Sequence, residues 1–497
     1  MTLVDAGSEQ TQRGEIMSER KTDVEAGNLL IGWGMTDVTP DGPIFLRGMT
    51  PARVSESVHD PITVTALAIE TVSDGVNEQA IMLSCDKCAI EDGLVDGCRE
   101  KLKRDVPDFD PRKLFAGATH SHTAPEITEG HSPDPGKPIV DIREYRDFLI
   151  DKMAEAAVQA WKSRRPGGVS WALGHAVVGH NRRNTYRDGT SKMYGNTDDP
   201  NFSHVEGYED HSVDILFTWS DEAQLTGVVV NLSCPSQVTA GWSRISADYW
   251  HETRQQLRAR LGEGIFILPQ CAPAGDQSPT ILTYKKSEAR MRQLRGLSER
   301  EEIARKITDT VEDVFPLAKK DIRMSVDFRH DVRDIGLKRR WITESELEAS
   351  QRTEDGFQAE YERLLREKPD DYRAVSTAYR NAMRFRFVRE RYELQQQQPE
   401  LPVELHAIRL GDVAFATNPF ELFLDFGLRI ESRSKAVQTF LIQLTGNGTY
   451  LPTERALAGK GYGTALRSTR VGPEGGQQLV EETVKALNAL WPDAKAK

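Results

Sequence analysis

The stretch FAGATHSHTAPE, residues 115–126, sets His120 and His122 one residue apart between a small-residue run and a proline. On a strand, residues at i and i+2 point to the same face. Two imidazoles on one face can bind a metal or move protons, although a solvated or hydrogen-bonded loop produces the same pair. Five further segments set polar residues directly behind apolar runs: GHNRRNTYRDG (179–189), CPSQ (234–237) with ISADYWHE (245–252), CAPAGDQSP (271–279), TNPFELF (417–423) and GNGTYLPTERALAGKGYGT (446–464). Ligands of α/β proteins sit where strands give way to loops, so these segments are expected to converge on one pocket. Several of their residues have a second, purely structural reading. Asp248 fits a helix N-cap as well as a pocket carboxylate, and Asp276 fits a turn acceptor. Arg182 and Asn181 follow an apolar strand, where a buried arginine needs a partner or an anion. Glu421 precedes an apolar helix-like run and fits a helix N-terminal carboxylate.

The elements that position these loops are read from periodicity. NLLIGWGMTDVTP, ITVTALAIETV, QAIMLSCD, KLFAGATHSH, VDILFTW, LTGVVVNLSC and GIFILPQC read as strands. GLVDGCREKLKRDV, EYRDFLIDKMAEAAVQAWKSR and DYWHETRQQLRARLG read as helices. The alternation predicts an α/β fold with a mixed β-sheet core and flanking helices. Residues 343–398 break it. They are highly charged, with one apolar stripe at Phe357, Tyr361, Leu364 and Leu365, a break at Pro369, and a second stripe at Val375, Ala378, Tyr379, Ala382 and Met383. This predicts an inserted helical hairpin, leaving 26–342 and 399–497 as the α/β body and 1–25 as a disordered lead-in.

The 497 residues carry 64 Lys+Arg against 76 Asp+Glu, a net charge of −12. Such a body is poorly suited to nucleic acid or an anionic membrane. No window approaches a membrane span and the N-terminus has no apolar signal core. The five cysteines are an odd number thinly spread, which suits a reducing cytoplasm. Cys85 and Cys88 form a C-x-x-C, but without a second such motif the pair reads as a buried strand end. The expected partner is a small molecule, with a homo-oligomer allowed and no stable membrane association.

Taken in order, IGWGMTDVTP, VHDPITVTALAIE, GATHSHTAPE, HNRR, ISADYW, AGDQSP, NPFELF and YLPTERALAGKGY resemble motifs of the neutral/alkaline, non-lysosomal ceramidase family, in its N-terminal catalytic domain, over residues 31–464. The resemblance implies a Zn2+ hydrolase acting on an amide or related acyl bond. It matches His120, Glu421 and Tyr450 to metal ligands, Tyr462 to a donor for the substrate carbonyl oxygen, His122 and Arg182 to pocket groups, and Ser278 to a serine implicated in catalysis. Asn181, Asp248 and Gln237 are the expected substrate contacts. Open-site zinc chemistry agrees: the metal polarises a carbonyl and activates water, while His, Tyr and Arg move protons and stabilise the oxyanion.

One departure stands out. The family places a second histidine ligand in an apolar-run, His-Pro segment ahead of ISAD, where this chain has VVVNLSCPSQ. Alignment on the proline assigns Cys234 to the metal, since thiolate is a good zinc ligand. A substitute histidine, His180 or His251, a metal-free site, or Cys234 as nucleophile are the other readings. The cysteine, the hairpin, and the 35 residues that follow Tyr462, too few for a β-sandwich domain, together favour a small polar acyl substrate over an N-acyl sphingoid lipid. The rivals are a non-catalytic ligand-binding protein and an acyltransferase using Cys234 with His122.

Overall fold

The computed structural model describes residues 27–72 and 77–491. The expected lead-in at 1–25 lies outside them. Twelve strands carry the architecture. In the first sheet they are β1 (Gly27–Asp37), β2 (Thr63–Val72), β3 (Glu78–Cys85), β4 (Leu114–Ala118), β5 (Arg165–His175), β6 (Ser212–Ser220), β7 (Leu225–Leu232) and β8 (Phe266–Cys271), in the order β8-β7-β6-β5-β1-β2-β3-β4. The second sheet is β9 (Phe328–Lys338), β10 (Glu400–Leu410), β11 (Val413–Thr417) and β12 (Gln438–Ile442), in sequence order.

Strand alternation explains the layering. On β2, Val64, Ala66 and Ala68 pack against helices α1 (Leu94–Asp105) and α2 (Ile142–Lys162). The intervening Leu67 and Ile69 face the second sheet, meeting Phe415, Phe440 and Ile442 in a shared core. Helices α3 (Tyr249–Leu261) and α4 (Glu299–Ala318) cover the rest of the first sheet. The outer face of the second sheet is closed by α7 (Leu424–Glu431) and α8 (Pro473–Ala489). The fold is therefore α/β, with two mixed sheets face to face between helical layers. Gly34 on β1 lets α2 approach closely: a Cβ there would lie 2.2 Å from the Ala156 carbonyl oxygen.

Parallel pairing runs β3 with β4, β7 with β8, and β11 with β12. The C-terminal ends of the last five of these strands gather along one edge. There the two sheets are stitched together: Ala118 N donates to Leu444 O at 3.3 Å and Gln443 N to Cys271 O at 3.0 Å. All the loops singled out in the sequence leave from this edge except the 179–189 loop, which joins it by pairing His180–Asn181 with Gln277–Ser278.

Residues 343–398 form two helices, α5 (Glu344–Glu367) and α6 (Tyr372–Gln397). Tyr361 packs on Tyr379 and Phe357 stacks on Phe385, so the two predicted stripes face each other. The hairpin lies across the body: Arg380 donates to Met49 O at 2.8 Å and Arg391 to Leu466 O at 2.7 Å.

The body also stores a pH dependence. Asp214 on β6 is buried and accepts from Gln438 at 2.7 Å. Burial pushes its carboxyl up to about 7, and burial with Asp214 and Asp210 pushes Glu431 up to about 8. The folded chain thus holds protons that the unfolded chain releases above the ordinary carboxylate range. The contribution of these two groups to stability is accordingly greatest in mild acid and falls as pH rises through 4 to 8. Asp214→Asn, which keeps the acceptor, is expected to recover on the order of 4 kcal/mol at pH 8 and nothing at pH 4. Thermal unfolding at the two pH values checks this.

Candidate active site

His120 follows β4 in the left-handed conformation, φ 67°. Backbone strain of this kind costs about 1–3 kcal/mol and persists where surrounding contacts enforce it. Here the enforcing contact is the Cys88 carbonyl, 2.6 Å from His120 Nδ1. That carbonyl can only accept, so Nδ1 carries the proton and the Nε2 lone pair is left free. The histidine pair therefore does not use strand alternation, since both residues lie beyond the strand. Their rings meet edge to face with centroids 5.0 Å apart.

Nε2 of His120 is buried and has no hydrogen-bond partner among the described residues, yet it lies 3.3 Å from Glu421 Oε2. Two donors that each stand about 2.0–2.2 Å from a tetrahedral zinc are separated by roughly 3.3–3.5 Å. A nitrogen and an oxygen at ligand spacing, without hydrogen-bond alignment, fit a shared cation. Tyr450 stands beside Glu421: their strands pair residue against residue, and the two side chains are hydrogen-bonded. The electrostatics agree. Burial disfavours an imidazolium at His120, but Cys88 and Glu421 outweigh it and hold its proton well above the ordinary range. Burial raises Glu421, and His120 and Arg182 more than reverse that. A proton here occupies ground suited to a metal ion, and the donor set fits zinc.

Gln237 joins the remaining groups. Its Oε1 accepts from Arg182 at 3.1 Å, which orients the amide so that Nε2 donates to His122 Nε2 at 3.0 Å. His122 consequently carries its proton on Nδ1, a buried atom without a partner. Burial, His120 and Arg182 hold this imidazole neutral, well below its ordinary range. Gly48, at φ 99°, lies over the ring, and a Cβ there would meet His122 Cγ at 2.4 Å. Gly48→Ala is expected to displace His122 and lower turnover about tenfold or more, with little change in metal content; parallel rate and metal assays check it.

Arg182 is buried at the centre. It donates to Gly275 O at 2.9 Å, Tyr194 Oη at 3.3 Å and Tyr450 Oη at 3.3 Å, and lies 3.7 Å from Glu421. Tyr194 in turn donates to Ser278 Oγ at 3.2 Å. Tyr462 is 39% exposed, its ring edge-on to Tyr450 at 5.7 Å, and stands at the mouth.

Other assignments need correction. Cys234 does not turn to the metal ligands. Its Sγ faces Val178 O at 3.4 Å within an apolar core cluster, and its carbonyl accepts from Tyr249 at 2.6 Å. Burial pushes this thiol well above its ordinary range, the opposite of what a nucleophile needs. Asp248 is no substrate contact: its carboxylate accepts from Tyr249 N, Thr239 N and Thr239 Oγ1 and caps α3. Asn181 is spent on Asp276 and Tyr208 O, and Asp276 also accepts from Leu424 N, so both brace the loops. His180 pairs with Glu209, and His251, half-buried on α3, has Asp60, Arg300 and Arg254 among its charged neighbours, so neither joins the centre. The sulfur that does approach is Cys88, 3.9 Å from His120 Nδ1. Cys88, His120 and His122 form a group whose ligand atoms lie within 4.8 Å of one another. Cys88 and Tyr194 escaped the sequence reading. The C-x-x-C was a signal for the former, whereas Tyr194 had none.

The architecture is similar to that of two solved proteins. A structure described as a ceramidase complexed with C2 superposes with a TM-score of 0.63 at 14% identity, over 95% of this chain and 77% of that one. A neutral ceramidase from Pseudomonas aeruginosa gives 0.65 at 15% identity, over 95% and 76%. The chain has the neutral ceramidase fold. Comparisons with protein-family models and with curated protein sequences give no match. Among the described residues no helix is long and apolar enough to cross a membrane.

Proposed function

We propose that the protein is a zinc-dependent hydrolase of an amide or related acyl bond, with His120, Glu421 and Tyr450 holding the metal. The observation that carries this reading is the free, buried Nε2 of His120 at ligand distance from Glu421. The ion, when bound, supplies a Lewis acid that polarises a carbonyl and activates water. The chain's own residues supply the rest. His122, neutral with an unpartnered Nδ1–H, offers a hydrogen-bond donor to the substrate, with Gln237 fixing its ring. Arg182 and Tyr462 offer donors to the oxygen that gains charge, and burial of Arg182 increases what each such bond contributes. Ser278, 3.2 Å from Tyr194 and without a histidine on its hydroxyl, reads as support for Tyr194 rather than as a nucleophile.

The absence of Cys234 from the donor cluster separates this reading from the cysteine-nucleophile one. Cys234→Ala is expected to keep zinc content and activity while lowering stability by about 1–2 kcal/mol through lost packing. A screen of acyl amides, esters and lactones with and without a chelator tests the function. Hydrolysis that chelation removes and zinc restores is the expected result; chelator-insensitive hydrolysis that Cys234→Ala abolishes would replace it with the thiol mechanism.

A further inference from the structure

The mouth of the candidate site carries arginines with no acidic partners. Arg384 on α6 donates to Thr50 Oγ1 at 2.8 Å, and Thr50 belongs to the loop whose Gly48 covers His122. Arg467 comes from the other side. It follows Tyr462 by five residues, lies over Phe385 at 5.3 Å, and is close enough to Arg384 and Tyr462 to feel their charges. Both side chains are half-buried, and among the described residues neither forms an ion pair. The Nε of Arg467 is buried without a hydrogen-bond partner. Burial and then Arg384 hold this guanidinium below the ordinary arginine range.

The placement costs stability. Arg380 precedes Arg384 by one helical turn, and like charges at i, i+4 repel. Arg380 is consumed by carbonyl bonds to Met49 and His131, whereas Arg384 and Arg467 retain unused donors. In a chain with a surplus of twelve acidic groups, two apposed arginines without a carboxylate are not what bulk composition produces. Guanidinium forks match carboxylate, sulfate and phosphate oxygens.

We propose that Arg384 and Arg467 form an anion subsite at this mouth, so that the compound cleaved within carries a carboxylate, sulfate or phosphate remote from its scissile bond. The identity of the cleaved bond rests on the hydrolase reading above; the subsite itself does not. It also separates the substrate from a neutral N-acyl sphingoid lipid.

The test compares N-(hexylsulfonyl)glycine, whose sulfonamide resists hydrolysis, with its neutral N-methylamide, by calorimetry at low ionic strength. Wild type is expected to bind the carboxylate about tenfold or more tighter, the preference shrinking with added salt. In the Arg384→Gln/Arg467→Gln double variant the preference should fall to within about twofold, while the matching lysine variants keep most of it. Thermal unfolding of each variant identifies any that fail to fold, and for those the lysine variants and the salt dependence decide. Equal or absent binding of the two probes by wild type, or a preference the double variant retains, overturns the subsite. A separate assay follows hydrolysis of N-hexanoylglycine, N-hexanoyltaurine and the N-methylamide of the former. Arginine-dependent binding without hydrolysis of any acyl compound leaves the subsite standing and removes the hydrolase reading. Hydrolysis indifferent to charge does the reverse.

Discussion

If the proposed zinc hydrolase reading holds, His120→Ala should reduce acyl hydrolysis by about a thousandfold or more, because it removes a proposed metal ligand. Lewis-acid stabilisation is worth several kcal/mol, and each 1.36 kcal/mol is about a factor of ten in rate. The loss should fall on kcat/KM and persist at every accessible substrate concentration, since the interaction is made in the transition state. Stability should fall by about 1–3 kcal/mol, because the variant keeps the left-handed backbone and takes from the buried Cys88 carbonyl its donor at 2.6 Å. A functional group whose removal abolishes activity without unfolding the protein is a signature of a site rather than of a core. Steady-state kinetics and thermal unfolding on the same preparation measure both halves.

Arg182→Met should be damaging in both respects. The guanidinium satisfies Gly275 O, Gln237, Tyr194 and Tyr450 and lies 3.7 Å from Glu421. Its removal leaves a buried carboxylate less compensated and a buried carbonyl without its donor, a loss of about 3–5 kcal/mol. It also frees the Gln237 amide that orients His122, and removes a donor to the reacting oxygen, which by itself costs about 10²–10³ in kcat. Arg182→Lys should not rescue either property, because one ammonium cannot reach both the Gly275–Tyr450 side and the Gln237–Tyr194 side. Denaturant unfolding and kinetics of the two variants check this, with equal behaviour of lysine and arginine as the contrary result.

Much of this site is legible in the chain, but unevenly. Apolar runs that stop abruptly at polar loops are visible, and β4, β7, β8, β11 and β12 end where those runs end. The hairpin stripes are legible in part: Leu364, Val375, Ala378 and Ala382 are buried, whereas Leu365, placed in the same stripe, is 45% exposed. Side-chain direction beyond a strand end is a different matter. The proline of CPSQ identifies the segment, but not where the Cys234 sulfur points. That depends on the Tyr249 hydroxyl, which holds the Cys234 carbonyl, and on Val178 across the sheet. Both are contacts between distant segments with no local periodicity. Cys88 illustrates the converse. Its motif looked like a strand end, and it is buried, but the turn after β3 brings its carbonyl and sulfur to His120. Asp248 was open between cap and pocket, and its three donors decide for the cap.

His120 and Glu421 stand 3.3 Å apart, the spacing that a shared zinc ion would require under the proposed function. Metal content of protein loaded with zinc and then dialysed tests it most directly, for wild type, His120→Ala and Glu421→Gln. About one zinc per wild-type chain is expected, with stoichiometric zinc lost in both variants. Wild-type protein without stoichiometric metal, or zinc retained in full by His120→Ala, would contradict it.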